Sequence, residues 1–532
     1  MAEAVSSIVI PSSRWSRALT RVHIEAPTPG EWGSTGISTG LLILSFPNFE
    51  SYLLAWICLV PLMLAIARRP SPLRGLMMGW AMGTVFFYVS CYWLTYSMIR
   101  YGGIPTVLAY LLLVPGALVI GVFPGLFAAL LAVVIKQWGS RAILLAPILW
   151  VTFEWTRLGV TGQLWNAIGY SQAFDPGLIQ AARWGGVYAV GFLILTINSV
   201  ITLFILKRSL TGFTATFLIP IGVVVIMLAS GIWQGRDLDD PPIGVVALQP
   251  NVPMTMLRSE DDTTKLLDRH FSLSKAAVET LPAESRRLVV WPESPMNFAY
   301  GSDQSLQERI AAFTRENHTS LLLNSLESAP GNGAYNSALL INEEGRLISQ
   351  YDKIRLMPFG EYVPLPPWLP GASLISGIVG DFTPGDKYTL MPIGDRRIGT
   401  FICIESAYPW IARNLVREGA DGLINISNDG YLGPNAVMRQ HLANVIFRAV
   451  ENDTTILRVT NTGISAEILN NGHAVDQTDG FKTEVKKWNL YRPQKNGTFY
   501  TRHGDLFVQV CAAITLLVIV ALLVSRRRSG RI

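Results

Sequence analysis

Charge is scarce in this chain. Of its 532 residues 15% are Asp, Glu, Lys or Arg, against roughly 25% in an ordinary soluble domain. Half are hydrophobic and 15 are Trp, so the composition points to a membrane. The net charge of +5 is modest, and the arginines stand beside apolar runs, so nucleic acid is not implied. Cysteine is sparse too. Cys58, Cys91, Cys403 and Cys511 show no paired spacing, and three of them lie in apolar segments, which supports neither a disulfide framework nor a zinc site. The six histidines are scattered, with no HxxxH or HExxH arrangement. Internal repeats and low-complexity tracts are absent. Met1 to about Gly33 lacks the apolar core of a signal peptide and carries Arg14, Arg17 and Arg21; it reads as a loose cytoplasmic tail.

What is there is a series of apolar segments: about Gly36 to Pro47, Tyr52 to Ala67, Leu76 to Ser97, Pro105 to Ile135, Ile143 to Leu158, Val187 to Leu206 and Phe213 to Trp233, with Leu506 to Val524 after a long gap. Most approach or exceed the ~20 residues that cross ~30 Å of hydrocarbon. The first is short. The fourth is long enough to tilt, or to break at Pro115 or Pro124. About eight spans are expected. Arg14/Arg17/Arg21, Arg68/Arg69/Arg74, Lys136/Arg141, Lys207/Arg208 and Arg526/Arg527/Arg528 fall on alternate ends of these spans. With eight helices they share one side, cytoplasmic by the positive-inside rule. The polar block from Gln234 to Asp505 then lies outside the cytoplasm.

That block reads as a separate α/β domain. Strand-like runs at Ile243 to Gln249, Leu288 to Trp291, Ser320 to Asn324, Ser337 to Asn342, Arg397 to Cys403, Leu423 to Ser427, Thr455 to Val459 and Ile464 to Leu469 alternate with helical patterns at Asp262 to Glu279, Ser305 to Asn317, Ala407 to Glu418 and Ala436 to Glu451. A mixed sheet covered by helices is predicted. The expected organisation is a tail over 1–33, seven spans over 34–233, the α/β domain over 234–505, and a last span with a basic tail over 506–532.

Within the block, Cys403 ends an apolar strand just before a helical pattern. A thiol there sits at a rigid sheet edge, near the positive end of a helix dipole that favours thiolate. Set against this, free cysteines are among the most buried residue types and act mostly as small hydrophobes. Glu293 follows Leu288-Val289-Val290-Trp291 between two prolines, a rigid and partly desolvated placement that suits a general base. Lys353 stands in a loop of aromatics and prolines, where its ammonium can stabilise an oxyanion. Glu361, eight positions on, can orient that lysine or assist proton transfer.

Trp291-Pro292-Glu293, Tyr351-Asp352-Lys353 and Cys403-Ile404-Glu405 together resemble the Glu-Lys-Cys signatures of the nitrilase (carbon–nitrogen hydrolase) superfamily. With the membrane spans, Gln249-Pro250-Asn251, Pro358-Phe359-Gly360-Glu361-Tyr362-Val363-Pro364 and Asn428-Asp429, the likeness is closest to the apolipoprotein N-acyltransferase family. It covers about Gly36 to Val524. The resemblance implies a polytopic helical membrane domain carrying an extracytoplasmic αββα sandwich in a bacterial inner membrane. It implies a ping-pong acyl transfer: Cys403 takes an acyl chain from a membrane phospholipid as a thioester and passes it to the α-amino group of a diacylglyceryl-cysteine apolipoprotein. Glu293 would carry protons and Lys353 stabilise the oxyanions. Glu361, Glu405, Tyr431, Asn428 and Arg258 would support the site or touch substrate. No metal or cofactor takes part, and a monomer is expected.

Three positions depart from the family pattern: Ile404 stands where tyrosine is usual, Tyr431 where tryptophan is usual, and Arg258 where tryptophan is frequent. These bear on substrate preference more than on the reaction. Two other classes compete: a membrane-tethered amidase that passes the acyl group to water, and a non-enzymatic binding or transport protein. Asn425, Asn428 and Asp429 are expected to shape the pocket wall, and His441 and Arg448 to be structural. Glu154 and Arg157, costly within lipid, are read as lying at the outer end of their span. Trp56, Trp80, Trp93, Trp150, Trp155, Trp165 and Trp184 are read as interfacial anchors, and Pro364 to Asp386 as a lid.

Overall fold

The computed structural model describes residues 26–162, 164–207, 222, 241–254, 259–282, 286–358, 360–363, 382–493 and 497–529. Arg258, residues 364–381 of the expected lid and, apart from Gly222, the expected span Phe213 to Trp233 lie outside them.

The first half is helical: α1 (Pro29–Leu44), α2 (Val60–Arg68), α3 (Pro72–Ser90), α4 (Leu94–Arg100), α5 (Thr106–Trp138), α6 (Ala146–Thr161) and α7 (Ala182–Lys207). Helix α1 begins inside the stretch read as tail, because Thr28 and Glu31 form a reciprocal capping box ahead of Pro29. Among the described residues, four helices are long and apolar enough to cross a membrane: Thr106–Trp138, Ser140–Thr161, Ala182–Lys207 and Leu506–Ser525. Helices α3 and α4, bent by 50° at their junction, add a fifth if they form one broken span. Helix α5 contains Pro115 and Pro124 yet continues for 33 residues, about 50 Å at 1.5 Å per residue. It exceeds the hydrocarbon thickness and does not break at either proline. Small residues let α3 and α5 approach closely: a Cβ on Gly79 would lie 2.4 Å from the Pro124 carbonyl oxygen.

Among the described residues, the second half builds twelve strands: β1 (Ile243–Gln249), β2 (Arg286–Val290), β3 (Ser320–Ser328), β4 (Ala334–Ile341), β5 (Leu347–Asp352), β6 (Leu390–Ile393), β7 (Arg396–Ile402), β8 (Gly422–Ser427), β9 (Ile456–Thr460), β10 (Ala466–Ile468), β11 (Ala474–Val475) and β12 (Glu484–Leu490). Helices α8 (Glu260–Val278), α9 (Gln304–Glu316), α10 (Pro409–Arg417) and α11 (Val437–Asn452) alternate with them, and α12 (Phe499–His503) and α13 (Leu506–Ser529) close the chain. Two six-stranded mixed sheets result, ordered β12-β1-β2-β3-β4-β5 and β11-β10-β9-β8-β7-β6. Strand alternation divides the apolar residues between layers. Val245, Leu288, Val290, Ile398, Ile402, Ile424 and Val459 pack between the sheets. Val246, Val289 and Leu321 face α8 and α9 on the outside. Four strands not foreseen from the sequence (β5, β6, β11 and β12) lie at sheet edges or beside them, where alternation is weakest.

Beyond the second sheet lies α11, buried along 14 of its 16 residues. Its apolar side chains join one continuous core with α10 and the membrane helices. Polar contacts fasten the same seam. Gln440 Oε1 accepts from the indoles of Trp93 (3.0 Å) and Trp165 (2.8 Å), while its amide donates to the carbonyls of Pro47 and Ser90. Arg439 grips Glu50 through two bonds of 2.6 and 2.7 Å.

Candidate active site

The chemistry-bearing residues gather at one end of the sandwich. Strands β1, β2 and β3 run parallel, as do β7, β8 and β9. Glu293 follows β2, Cys403 follows β7 and Asp429 follows β8, so all three emerge at carboxyl ends of parallel strands, where open α/β sheets place ligands. Lys353 follows β5 directly rather than standing inside a loop. Two antiparallel steps through β4 return β5 to the direction of β3.

Lys353 is buried, and its Nζ donates to Glu361 Oε1 at 2.8 Å and to Glu293 Oε1 at 3.5 Å. Burial pulls this ammonium toward its neutral form, but Glu361 and then Glu293 outweigh it, and the net effect holds the lysine protonated. Asn336, at the head of β4, ties the two acids together. Its amide donates to Glu293 Oε1 at 3.0 Å and to Glu361 Oε1 at 2.8 Å, and its own oxygen accepts from Asn324 at 2.7 Å. The Met357 N–H binds the other Glu361 oxygen at 2.7 Å. Asn336 was not singled out from the sequence, because an amide at the head of an apolar strand carries no motif.

Cys403 is half-buried and opens a short 3₁₀ turn, Cys403–Ala407, with φ at +52°. Such a conformation in a side-chain-bearing residue costs about 1–3 kcal/mol and persists only where the surroundings over-determine it. Glu405 supplies part of that constraint. Its carboxylate accepts from the backbone N–H groups of Ile402 (2.7 Å), Ile354 (2.7 Å) and Arg355 (3.1 Å) and from the Tyr351 hydroxyl at 2.9 Å. Burial lifts the Glu405 carboxyl to about 7 against these donors. The side chain joins the turn after β7 to the end of β5. It serves as a strut and is not directed outward.

The expectation of a dipole-stabilised thiolate does not hold. Burial, and then the Glu293 charge, push the Cys403 thiol well above its usual range, with Lys353 offsetting only part. The physical reason is local. Helix α10 begins at Pro409, beyond the 3₁₀ turn, so its N-terminus is not at the sulfur.

Asn428 and Asp429 form a wall by bonding to protein. Asn428 Oδ1 accepts from Gly430 N–H at 3.1 Å. Asp429 accepts from Arg458 Nη2 at 2.9 Å and lies 2.8 Å from His441 Nδ1. Although burial raises it, Arg458 and His441 hold the Asp429 carboxyl down at about 2. Tyr431 is 45% exposed and its ring meets Tyr101 edge-on at 5.8 Å. Ile404 is buried in the core. His441, expected to be merely structural, also places Nε2 2.9 Å from the Cys403 carbonyl oxygen. Arg448 is buried and donates to Glu451 at 2.8 Å and to the Tyr170 hydroxyl at 3.1 Å.

Glu154 and Arg157, in the second half of α6, face protein rather than lipid. Both are buried: Glu154 accepts from Ile168 N–H at 2.8 Å and Arg157 donates to the Trp165 carbonyl at 3.0 Å, holding the loop beneath α11. Trp93, Trp150 and Trp165 are buried rather than interfacial, and the indoles of Trp93 and Trp165 bond Gln440.

A two-sheet sandwich with a cysteine, a lysine and paired carboxylates at its strand ends fits the carbon–nitrogen hydrolase class, here joined to helices that include candidate membrane spans. Residues 243–484 match the carbon–nitrogen hydrolase family, and residues 38–200 match the apolipoprotein N-acyltransferase N-terminal domain. The chain is 33% identical to the apolipoprotein N-acyltransferase of Geobacter metallireducens, over 93% of this chain and 95% of that one. It is 27% identical to the enzyme of that name from Chlorobaculum tepidum, over 90% and 93% of the two chains. The chain belongs to the apolipoprotein N-acyltransferase family and is an acyltransferase.

Proposed function

We propose that Cys403, Glu293 and Lys353 perform the acyl transfer in two steps on lipid-anchored substrates. Glu293 removes the Cys403 proton as sulfur attacks the sn-1 ester carbonyl of a membrane phospholipid. The Lys353 ammonium stabilises the resulting oxyanion. The intermediate collapses, the carbon–oxygen bond breaks, and protonated Glu293 returns its proton to the leaving lysophospholipid. The acyl group remains on Cys403 as a thioester. The α-amino group of a diacylglyceryl-cysteine lipoprotein then attacks, Glu293 takes its proton, and the thiolate leaves with the amide formed and is reprotonated. Glu361 anchors Lys353, while Glu405 and Asn428 hold the turns around it. Tyr431, at the exposed rim, contacts substrate, as would Arg258.

The carrying observation is the Glu293–Lys353–Glu361 cluster beside a thiol that burial and Glu293 keep protonated. A resting thiol needs a base at the moment of attack, and Glu293 is the acid that couples to it most strongly. The packing of α11 against the helical half supports placing the site at the bilayer surface, where both substrates are anchored. The chain is proposed to cross a bacterial inner membrane about eight times as a monomer, with residues 1–33 and the basic C-terminal end cytoplasmic and residues 234–505 on the outer face.

Intact mass of the full-length protein after incubation with a defined phospholipid tests the reading. Wild type should gain one acyl chain, lost to a diacylglyceryl-cysteine peptide that becomes triacylated, and Cys403→Ala should gain none. An adduct that decays in water and ignores the peptide would indicate a hydrolase instead. Unchanged activity in the alanine variant would remove Cys403 as nucleophile.

A further inference from the structure

The proposed reaction does not use His441, yet this side chain reaches the backbone of the proposed nucleophile. His441 lies on α11, 38 positions beyond Cys403, and is 2% exposed. Nε2 sits 2.9 Å from the Cys403 carbonyl oxygen and Nδ1 sits 2.8 Å from Asp429 Oδ1. A carbonyl oxygen only accepts, so Nε2 carries the proton in the first contact. The ladder between β7 and β8 ends at Ile402↔Ile426. The next carbonyl, that of Cys403, is therefore taken up by His441 rather than by a strand.

The far side of the ring is equally fixed. Asp429 is held by Arg458 Nη2 at 2.9 Å, and the imidazole rests against the Trp165 ring, 5.7 Å between centroids. The adjoining residue, Gln440, is bonded to Trp93 and Trp165 of the membrane half. The imidazole is thus an inextensible link from a rigid framework to one peptide group. That peptide group belongs to the residue whose φ of +52° demands external support. Glu405 fixes the turn from the Ile402 N–H, upstream of the cysteine, and His441 fixes it from the carbonyl side. With both ends held, Cys403 has one backbone conformation and its sulfur one direction.

We propose that His441 is a positioning residue for acyl transfer, bonding the Cys403 carbonyl to hold the nucleophile's left-handed backbone and aim its sulfur at the Glu293–Lys353 pair. The proposal rests on the reading of Cys403 as nucleophile. It places the function in the Nε2 bond, whereas a purely structural role would place it in packing and in the Nδ1 contact with Asp429.

Two substitutions separate these roles in the full-length protein. His441→Gln retains a donor at the reach of Nε2, and His441→Asn retains one at the reach of Nδ1. The rate of acyl-adduct formation from a defined phospholipid is followed by intact mass across lipid concentrations. The asparagine variant should acylate about 100-fold more slowly at saturating lipid with half-saturation unchanged, the scale of a small misplacement of a reacting group. The glutamine variant should stay within about threefold of wild type. Equal rates in the two variants, a faster asparagine variant, or a loss confined to half-saturation would overturn the proposal. Should the asparagine variant fail to fold, the glutamine variant decides alone: a folded glutamine variant about 100-fold slow would overturn it. Failure of the underlying reading looks different, because wild type itself would then form no adduct on Cys403.

Discussion

Replacing Glu361 with Gln removes one charge from the Lys353 ammonium while keeping the side chain's shape. Nζ lies 2.8 Å from Glu361 and 3.5 Å from Glu293. At an effective dielectric of about 20, the gross attractions are about 6 and about 5 kcal/mol, before desolvation is subtracted. The nearer acid therefore has the stronger hold and keeps the ammonium from settling on Glu293. With glutamine, an ion-pair hydrogen bond becomes an ammonium–neutral one, a loss of about 1–2 kcal/mol, and the ammonium is drawn toward Glu293. Two effects then add, since a carboxylate paired with lysine is a poorer base and a displaced ammonium faces the oxyanion less squarely. A combined barrier increase of about 1.5–3 kcal/mol corresponds to a 10- to 100-fold slower acylation. Intact mass against time, across phospholipid concentrations, should show the loss in the rate at saturation with half-saturation unchanged. A Glu361→Gln protein that acylates within about threefold of wild type, or that loses apparent affinity only, would refute Glu361 as the anchor of Lys353.

A Cβ at Gly463 would lie 2.1 Å from Asp429 Oδ2, an oxygen pinned by Arg458. Gly463→Ala should therefore disturb the Asp429–His441 link and slow acylation at least about 10-fold; a wild-type rate would show that Asp429 can move without consequence. At the crossing of α3 and α5, Gly79→Ala meets backbone at 2.4 Å and should destabilise by about 1–3 kcal/mol or more. Thermal inactivation in detergent reads this, and an unchanged half-life would refute the close crossing. Asp429 is depressed in the fold from 3.8 to about 2, which contributes roughly 2 kcal/mol. Because the folded value is the lower one, this stability is fully present above about pH 4 and is lost as pH falls through about 2. Protection factors of β8 and β9, with the intrinsic exchange rate divided out at each pH, should fall over that window in wild type and fall less in Asp429→Asn; parallel curves would contradict the linkage.

The strands that frame the site were legible because they are apolar runs ending in chemistry. Glu293 and Cys403 each close such a run, and their motifs stand far apart in sequence yet share one sheet end. Lys353 was legible as a residue but not as a strand end. Leu347 to Asp352 is mostly half-exposed edge, with no sustained alternation of apolar residues. A helical pattern four residues beyond Cys403 suggests a dipole at the sulfur, and the intervening 3₁₀ turn that separates them has no signal in the sequence. His441 and Asn336 make their bonds to residues distant in sequence, and nothing local marks that. In the membrane half, apolar composition located the helices but not their partners. Trp93 and Trp165 look like belt residues until Gln440, hundreds of positions away, is seen to accept from both indoles. The bend between α3 and α4 left no proline or glycine signal at Cys91 to Trp93.

The burial of α11 carries a consequence for the two halves as a unit. A helix on the outside of a sandwich ordinarily keeps a polar face for water. Here 14 of 16 residues are buried, because one face meets the second sheet and the other meets the membrane helices. The residues turned away from the sheet include Gln440, whose amide is consumed by Trp93, Trp165, Pro47 and Ser90. Removing the helical half would expose that face, leave those hydrogen bonds unmade and loosen the helix that holds His441 against the Cys403 carbonyl. Residues 241–493 expressed alone should therefore aggregate, or fold with Cys403 unable to take an acyl chain from a soluble ester at more than about a hundredth of the full-length rate. The sandwich has apolar cores of its own between and outside its sheets, so the outcome is not a foregone loss of folding. A soluble, monodisperse fragment that acylates at the full-length rate would mean that the turn at Cys403 supports itself and that the seam matters only for lipid delivery.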